Sequence, residues 1–186
     1  YTIQNYLADQ IQVPRFSTEA PEFVEAEKAV KDKIAKLMAI KGTRSVDSIH
    51  KELGLVMWDN VGMARTKESL EKALKEIDRV EKLFWSELRI PGEADTLNVE
   101  LEKALRLLDF IEIGRLMAYD ALNREESCGG HFREEHQTEE GEAKRDDENF
   151  SYVACWKYTG QGQEPELIKE DLNYQYIKVQ QRNYKN

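Results

Sequence analysis

The sequence has few of the residues that interrupt helices or build covalent frameworks. It contains 4 prolines, 10 glycines and 2 cysteines among 186 residues, while 34% of its residues are charged. Such a composition is typical of a mostly helical protein. Cys128 and Cys155 are too few for a disulfide framework, so we expect two free thiols in a reducing compartment.

Long apolar runs and an excess of basic residues are also missing. No apolar stretch approaches the roughly 20 residues that a membrane-spanning helix needs, so we expect no direct membrane insertion. The 36 acidic residues outnumber the 27 basic ones, which gives a formal net charge of −9. Because nucleic acid and anionic lipid are bound through basic surfaces, neither is an expected partner.

Four segments are predicted along the chain. Residues 1–12 show helical spacing without a start signal, and the sequence opens on Tyr1 rather than Met. We therefore expect a piece of a longer protein that begins inside a helix. Residues 13–21 contain two prolines and predict a linker. Residues 22–125 predict a helical bundle, and residues 126–186 predict an acidic loop followed by a β-hairpin.

Within the bundle, apolar residues recur at three- and four-residue spacing in several helical stretches. The expected helices cover about 22–40 with Gly42 as a stop, a stretch from Ser45 or Asp47 to about 63, then 67–88 and 97–123. Thr66 is a further expected N-cap. The predicted fold is mostly α, a three-helix bundle with a small C-terminal β-hairpin appendage.

The last of these helices carries apolar residues on two sides. One stripe contains Leu101, Ala104, Leu105, Leu108 and Ile111. The second stripe contains Leu107, Phe110, Ile113, Met117 and Leu122. Two apolar sides imply burial on both, so we expect this helix to lie centrally and to meet another surface as well.

The C-terminal part changes in character after Arg124. Residues 124–149 hold ten acidic and four basic residues, so most of the net charge lies in this stretch. Residues 150–158 are aromatic and β-branched and predict a strand, and residues 159–165 predict a turn. A looser strand pattern covers residues 167–179.

Several residue groups in this part could carry chemistry. Cys128, His131 and His136 could bind Zn²⁺, with Cys155 or a glutamate as the fourth ligand, although the spacing is weak evidence. Cys128 and His131 could also be a nucleophile and its base, but nothing supplies an orienting group. The structural alternative is a polar loop whose His131 and Arg133 form hydrogen bonds with a neighbouring domain.

Two further patterns favour structural roles. Residues 145–149 lack the alternating ligands of a calcium loop, so Asp146 or Asn149 is expected to cap a local turn. The three tryptophans are expected to be core or interface anchors rather than a ligand box. They are Trp58, Trp85 and Trp156.

The segment from Glu126 to Phe150 resembles the C-terminal part of the flavoprotein subunits of succinate dehydrogenase and fumarate reductase. The family pattern Glu-Ser-Arg-Gly-Ala-His-x-Arg is matched at Glu126, Ser127, Gly129, His131 and Arg133. Cys128 stands where the family has Arg, and Gly130 stands where it has Ala. The Arg-Asp-Asp element is matched at residues 145–147, after a longer spacer.

A second motif extends the resemblance into the bundle. Met57, Gly62 and Arg65 occupy the positions of the family's Met-x-x-x-x-Gly-x-x-Arg pattern. The resemblance implies a spectrin-like bundle after an FAD domain, with residues 1–12 as the tail of the last helix of that domain. It implies a parent enzyme that interconverts succinate and fumarate by hydride transfer to FAD.

The resemblance also implies where the chemistry lies. The FAD-binding fingerprint and the catalytic residues of the family lie upstream, so we expect no catalytic, cofactor-binding or metal residues in this chain and no activity of the chain alone. The expected partners are the FAD domain of the same subunit and an iron–sulfur subunit. The expected location is cytoplasmic, at the inner face of a bacterial membrane through the parent complex.

Four residues of the motif are predicted to position the interface between domains. They are His131, Arg133, Arg145 and Asp146. Arg133 suits this role because its planar guanidinium donates several hydrogen bonds. Two other hypotheses stay open from the sequence: an independent helical protein-interaction module, and a small zinc-binding protein.

Overall fold

The computed structural model describes residues 2–10, 16–160 and 162–180. Its described helices are α1 (Thr2–Gln10), α2 (Pro21–Met38), α3 (Val46–Asn60), α4 (Lys67–Glu87), α5 (Val99–Asn123) and the short α6 (Asp147–Phe150). Its described strands are β1 (Ala64–Arg65), β2 (Phe132–Arg133), β3 (Tyr152–Lys157) and β4 (Glu166–Asp171). The predicted fold class, mostly α with a C-terminal hairpin, is confirmed.

Helices α3, α4 and α5 form the centre of the bundle. Each begins at a side chain that accepts a hydrogen bond from a backbone N–H in the first turn: Ser45, Thr66 and Asn98. At Thr66 the bond is reciprocal, since Ser69 Oγ also accepts from the backbone of Thr66. Such caps stabilise a helix by about 1 kcal/mol. The apolar stripes then meet in one core that includes Ile49, Leu53, Leu70, Ile77, Val80, Phe84, Leu107 and Ile111.

Helix α2 joins this core only through its C-terminal end. Leu37 is its one buried residue, and Lys36 places its ammonium group 4.0 Å from the ring centre of Trp85. Phe23 and Val30, which belong to the same predicted stripe, are exposed. The apolar pattern therefore predicts the helix correctly, but most of its stripe has no covering surface in the described part of the chain.

The role predicted for Gly42 is wrong. Helix α2 ends four residues earlier, at Met38. Gly42 instead lies against the end of α4, where its N–H donates to the carbonyl of Leu88 at 3.1 Å. A Cβ at this position would lie 1.9 Å from the carbonyl carbon of Glu87, so the two chain segments can approach only because residue 42 has no side chain.

The β-structure is small and connects distant parts of the chain. Strands β1 and β2 pair in parallel, with Ala64 opposite Phe132 and Arg65 opposite Arg133. Strands β3 and β4 pair antiparallel, from Tyr152 opposite Asp171 onwards. The second predicted strand is therefore shorter than expected, because pairing ends at Asp171 and residues 172–179 form no strand.

The hairpin of β3 and β4 is attached to α5 through Trp156. The indole Nε1 of Trp156 donates to Asp120 Oδ1 at 2.6 Å, and its ring meets that of Tyr119 edge-on. Trp156 is thus an anchor, as predicted, and Trp85 packs against the core. Trp58 is 82% exposed and so is not a core residue, while the other predicted alternative, an interface anchor, stays a prediction.

Helix α5 buries one of its two apolar sides within the described chain. Leu101, Leu107 and Ile111 are buried against α3 and α4, so the border between the two predicted stripes is misplaced at Leu107. Phe110, Ile113 and Met117, spaced three and four residues apart, are 44%, 53% and 52% exposed. We call these three residues the α5 outer face.

The structure describes only part of the predicted segment 1–12 and of the predicted linker 13–21. Of the predicted segment 1–12, Thr2–Gln10 is helical, while Tyr1 and residues 11–15 lie outside the described residues. Among the described helices, none combines the length and apolar character needed to cross a membrane.

The contrast between two glycines gives a stability prediction. We expect Gly42→Ala to lower the free energy of unfolding by more than about 2 kcal/mol, because the new methyl group overlaps backbone atoms of Glu87. Gly54→Ala is the control, since Gly54 lies in α3 with no atom within 4 Å of the added Cβ. It should raise stability by up to about 1 kcal/mol through helix propensity. Urea denaturation measures both, and equal effects would contradict the close approach at Gly42.

Candidate functional site

The motif segment 126–146 folds back onto the C-terminal end of α5. Its first turn is closed by paired backbone bonds between Cys128 and His131, with Gly129 at a φ of 59°. A positive φ favours glycine, which explains why residue 129, between Cys128 and His131, is a glycine. The turn reverses the chain so that His131 and Arg133 return to the helix that the chain has just left.

Arg133 is the centre of this arrangement. The residue is 1% exposed, and its Nη1 donates to the carbonyl oxygens of Ala121, Leu122 and Arg124 at 3.0, 3.3 and 3.4 Å. The last carbonyls of an α-helix lack partners within the helix and carry its negative dipole end. The guanidinium of Arg133 therefore caps α5 both by hydrogen bonding and by charge.

His131 and Glu135 complete the cap on either side of Arg133. The Nε2 of His131 lies 2.8 Å from the carbonyl oxygen of Arg124, which fixes this nitrogen as the protonated one. Glu135 Oε2 accepts from Arg133 Nε at 3.3 Å, and its other oxygen accepts from the backbone N–H of Lys67, the first residue of α4. The motif thus joins the end of α5 to the beginning of α4.

The electrostatics follow from this crowding. Burial lowers the pKa of His131, the bond to the Arg124 carbonyl opposes that shift, and the charges of Arg65 and Arg133 add to it. Burial raises the pKa of Glu135, but the N–H of Lys67 and the nearby Arg133 lower it on balance. The site therefore favours a neutral imidazole and an ionised carboxylate.

A second set of contacts is centred on Glu126, which is 2% exposed. Its Oε1 accepts from Arg124 Nη1 at 2.6 Å, and its Oε2 accepts from the N–H of Asp146 at 2.9 Å. Arg124 also donates to the carbonyls of Phe150 and Tyr152, at 3.2 Å each. A buried carboxylate with these partners ties the motif to the start of the hairpin.

Ser127 links the two sets of contacts. It is fully buried, its hydroxyl donates to the carbonyl of Arg133 at 3.1 Å, and it accepts from the N–H of Arg133 at 2.8 Å. The N–H of Ser127 donates to the carbonyl oxygen of Lys144 at 2.9 Å. The loop is therefore held from inside by motif side chains rather than by an apolar core of its own.

The four residues predicted to position an interface occupy different places. His131 and Arg133 lie together at the end of α5. Asp146 caps α6, accepting from the N–H of Asn149 at 3.2 Å, as one of the predicted alternatives stated. Arg145 pairs with Asp147 and donates to the carbonyl of Gln180 at 3.3 Å. A role for any of them between domains stays a prediction.

The contributions of Arg124 and Glu135 were missed from the sequence, and Glu126 and Ser127 were read only as motif matches. Glu126 and Ser127 carried a signal, since acidic and hydroxyl residues at matched motif positions suggest buried partners. Nothing in the local pattern indicated Glu135, because its partner Lys67 lies 68 residues away in the sequence.

The described residues do not support the two chemical alternatives. Within residues 2–10, 16–160 and 162–180, no three His, Cys, Asp or Glu side chains converge in a way that could hold a metal. Cys128 and His131 are joined through backbone bonds, while the ring nitrogen Nε2 of His131 is engaged with Arg124. The geometry is that of a closed structural turn.

The described residues also do not fit a cradle for FAD. A dinucleotide site needs a strand that leads through a glycine-rich turn into a helix. Strand β1 leads into α4 through Thr66 alone, and the other described pair forms a hairpin. The class that the fold and the motif define is a helical bundle domain closed by a C-terminal loop and hairpin.

Comparison with known proteins gives the family. A model of the family described as the fumarate reductase flavoprotein C-terminus matches residues 50–184, and the chain belongs to this family. The chain is 29% identical over 155 residues to a fumarate reductase flavoprotein subunit from Serratia, covering 83% of this chain and 25% of that protein. For the Proteus vulgaris subunit the identity is 31% over 143 residues, with 77% and 23% covered.

The fold agrees with a solved relative. A variant of Escherichia coli quinol fumarate reductase superposes with a TM-score of 0.70 at 24% identity, covering 92% of this chain and 28% of that one. The chain spans about a quarter of the length of the curated relatives it matches. The predicted resemblance is confirmed, since the chain belongs to the C-terminal family of the fumarate reductase flavoproteins.

The cap at the end of α5 predicts a large cost for the loss of Arg133. We expect Arg133→Met to lower the free energy of unfolding by about 3–5 kcal/mol, because it leaves several buried helix-end carbonyls without their donor. Arg106→Met is the matched control, since Arg106 forms an exposed pair with Glu102 and should cost under about 1 kcal/mol. Urea denaturation compares them. A loss for Arg133→Met no larger than that of the control would contradict the capping role.

The lowered pKa of His131 predicts a loss of stability in mild acid. The folded chain binds a proton at His131 less readily than the unfolded chain, so this contribution is complete above the ordinary pKa of about 6.5 and is lost as the pH falls below it. Between pH 7 and pH 5, Tm should fall in the native chain and fall less in His131→Gln. His136→Gln should behave like the native chain. An identical pH dependence in all three chains would show that His131 does not contribute.

Proposed function

We propose that this chain is the C-terminal helical domain of an FAD-dependent flavoprotein subunit and that its role is structural and subunit-docking. The parent enzyme interconverts succinate and fumarate, and FAD is held in the part of that enzyme that precedes this domain. Membership of the flavoprotein C-terminal family supports this proposal, as does the share of about a quarter that the chain spans in its relatives.

The observation that carries the docking role is the α5 outer face. Phe110, Ile113 and Met117 form an apolar surface on the longest helix, and the ring of His50 stacks on Phe110 with centroids 5.1 Å apart. Exposed apolar patches on protein surfaces commonly mark sites of protein association. The opposite side of α5 packs into the core, which holds the α5 outer face in place for contact with a partner.

Helix α2 carries a second exposed apolar surface. Phe23 and Val30 are exposed along α2, whose C-terminal end alone is anchored in the bundle. The proposed occupants of these surfaces are the FAD domain of the same subunit and an iron–sulfur subunit. The family's complexes would place the domain on the cytoplasmic side of a bacterial membrane.

In this assignment the motif has an indirect role. His131, Arg133 and Glu126 set the position of the loop and hairpin relative to α5, while Arg145 and Asp146 are half-buried in the same loop. We propose that the loop presents the accessible parts of Arg145 and Asp146 to the neighbouring domain and that Arg133 acts through the loop rather than by donating a proton to substrate.

The docking role is tested by charging the α5 outer face in the full flavoprotein subunit. Ile113→Lys combined with Met117→Lys should reduce co-purification of the iron–sulfur subunit or retention of flavin by at least tenfold, because two charges would be buried at the interface. The Tm of the separate 186-residue chain should change little, since both residues are exposed.

Leu97→Lys provides the control for added charge. Leu97 is exposed in the loop before α5 and carries no contact that the proposal uses. Normal assembly and flavin content in the Ile113→Lys and Met117→Lys variant would contradict docking through this face. That result would favour an independent helical interaction module.

A further inference from the structure

A groove runs along α4 between the bundle and the hairpin, on a part of the surface separate from the α5 outer face. Its larger section, a cavity of about 560 Å³, lies between α4, α5 and the hairpin. Its smaller section continues along α4 to Trp85 and Ser86. The two sections share Asp78 and Glu81, so we treat them as one feature and call it the α4 groove.

The charged side chains that line the larger section are strongly unbalanced. Four carboxylates, those of Asp78, Glu81, Glu112 and Glu164, face one guanidinium, that of Arg115, which leaves a net charge of −3. Arg115 donates to Asp78 at 3.1 Å and to Glu112 at 3.1 Å, and it also pairs with Glu81. The side chains of Asp78 and Glu112 are 57% and 56% exposed and that of Glu81 is 28% exposed, so one shared cation leaves an excess of negative charge along the rim of the groove.

The remaining walls are aromatic and apolar. Tyr119, Trp156 and Tyr158 contribute rings, and Leu74, Leu116 and Pro165 contribute aliphatic surface. The orientation of Trp156 is fixed by its bond to Asp120 and by its edge-on contact with Tyr119. Aromatic faces beside carboxylates are a setting that binds organic cations, most often a guanidinium or an ammonium group.

The shape of the groove favours a polypeptide over a small molecule. From Leu74 to Ser86 it follows α4 for twelve residues, which is about 18 Å at 1.5 Å per residue. An extended segment of five or six residues covers that distance at about 3.3 Å each. At the far end, the ammonium group of Lys36 lies 4.0 Å from the ring centre of Trp85, so a cation of this chain already covers that ring.

We propose that the α4 groove binds an extended segment of a partner protein that presents an Arg or Lys side chain between apolar residues. The cation lies among Glu81, Glu112 and Glu164 against the aromatic wall, and the apolar neighbours contact Leu74 and Leu116. This inference deepens the docking function by naming the chemistry of a partner. It depends on groove residues only, none of which belongs to the α5 outer face.

In the test, the capped peptide Leu-Arg-Leu-Lys-Leu is titrated into the full 186-residue chain at low ionic strength, and calorimetry measures the binding. We expect saturable binding that weakens with added salt, because the charges are screened. Glu81→Gln combined with Glu112→Gln should weaken binding at least tenfold. Glu164→Gln, which leaves the partners of Arg115 in place, should weaken it by a smaller factor and guards against a folding defect.

Glu27→Gln combined with Glu139→Gln is the matched control, since it removes two exposed carboxylates outside the groove and should leave the affinity unchanged. Absence of binding, equal affinity in the groove variants, or equal affinity for the peptide Leu-Gln-Leu-Gln-Leu would overturn the proposal. Binding of methylguanidine as tightly as the peptide would overturn it in favour of a small-cation site. Loss of docking through the α5 outer face would leave these results unaffected.

Discussion

The end of α5 is the constraint on which the arrangement of the C-terminal half depends. The last carbonyls of this 25-residue helix need donors, and the described structure supplies them from Arg133 and His131. Burying a guanidinium is costly unless its N–H groups are paired, and burying helix-end carbonyls is costly unless they accept. Each of the two groups removes the penalty of the other, which fixes the loop on the helix.

From this contact the rest of the loop follows in order. Ser127 holds the backbone of Arg133, and Glu135 links Arg133 to the start of α4. Arg124 and Glu126 connect the loop to α6 and the hairpin. Trp156 then fastens the hairpin to α5 through Asp120. The acidic segment that dominates the net charge is thus ordered by a few buried polar pairs. The α5 outer face and the α4 groove lie on the frame that these pairs hold together.

Local signals in the sequence predicted what depends on nearby residues. The helices and the caps at Ser45 and Thr66 follow from spacing and side-chain type within a few positions, and the structure confirms them. The hairpin was also predicted, but the second strand was predicted too long, because Tyr174 and Tyr176 have a strand-like pattern without a partner strand. The family was predicted from motif residues, and the comparisons confirm it.

Features that depend on distant pairs were not predictable in this way. The close approach at Gly42 requires the end of α4, 45 residues further on. The position of the Arg133 side chain depends on the turn at residues 128–131. Its residue type alone does not show whether it caps a helix of this chain or contacts another domain. For Trp58 the sequence leaves the core and an interface open, because an exposed apolar residue can have the same spacing as a core residue.

Native-state hydrogen exchange at the backbone N–H groups of Ser127 and Arg133 tests the capping account most directly. Both donate within the loop, to Lys144 and to the hydroxyl of Ser127. If the loop is closed onto α5 by Arg133, these amides open with a free energy close to that of amides in the core of α4, and they lose this protection in Arg133→Met. Exchange at the rate of an open loop in the native chain would contradict the account.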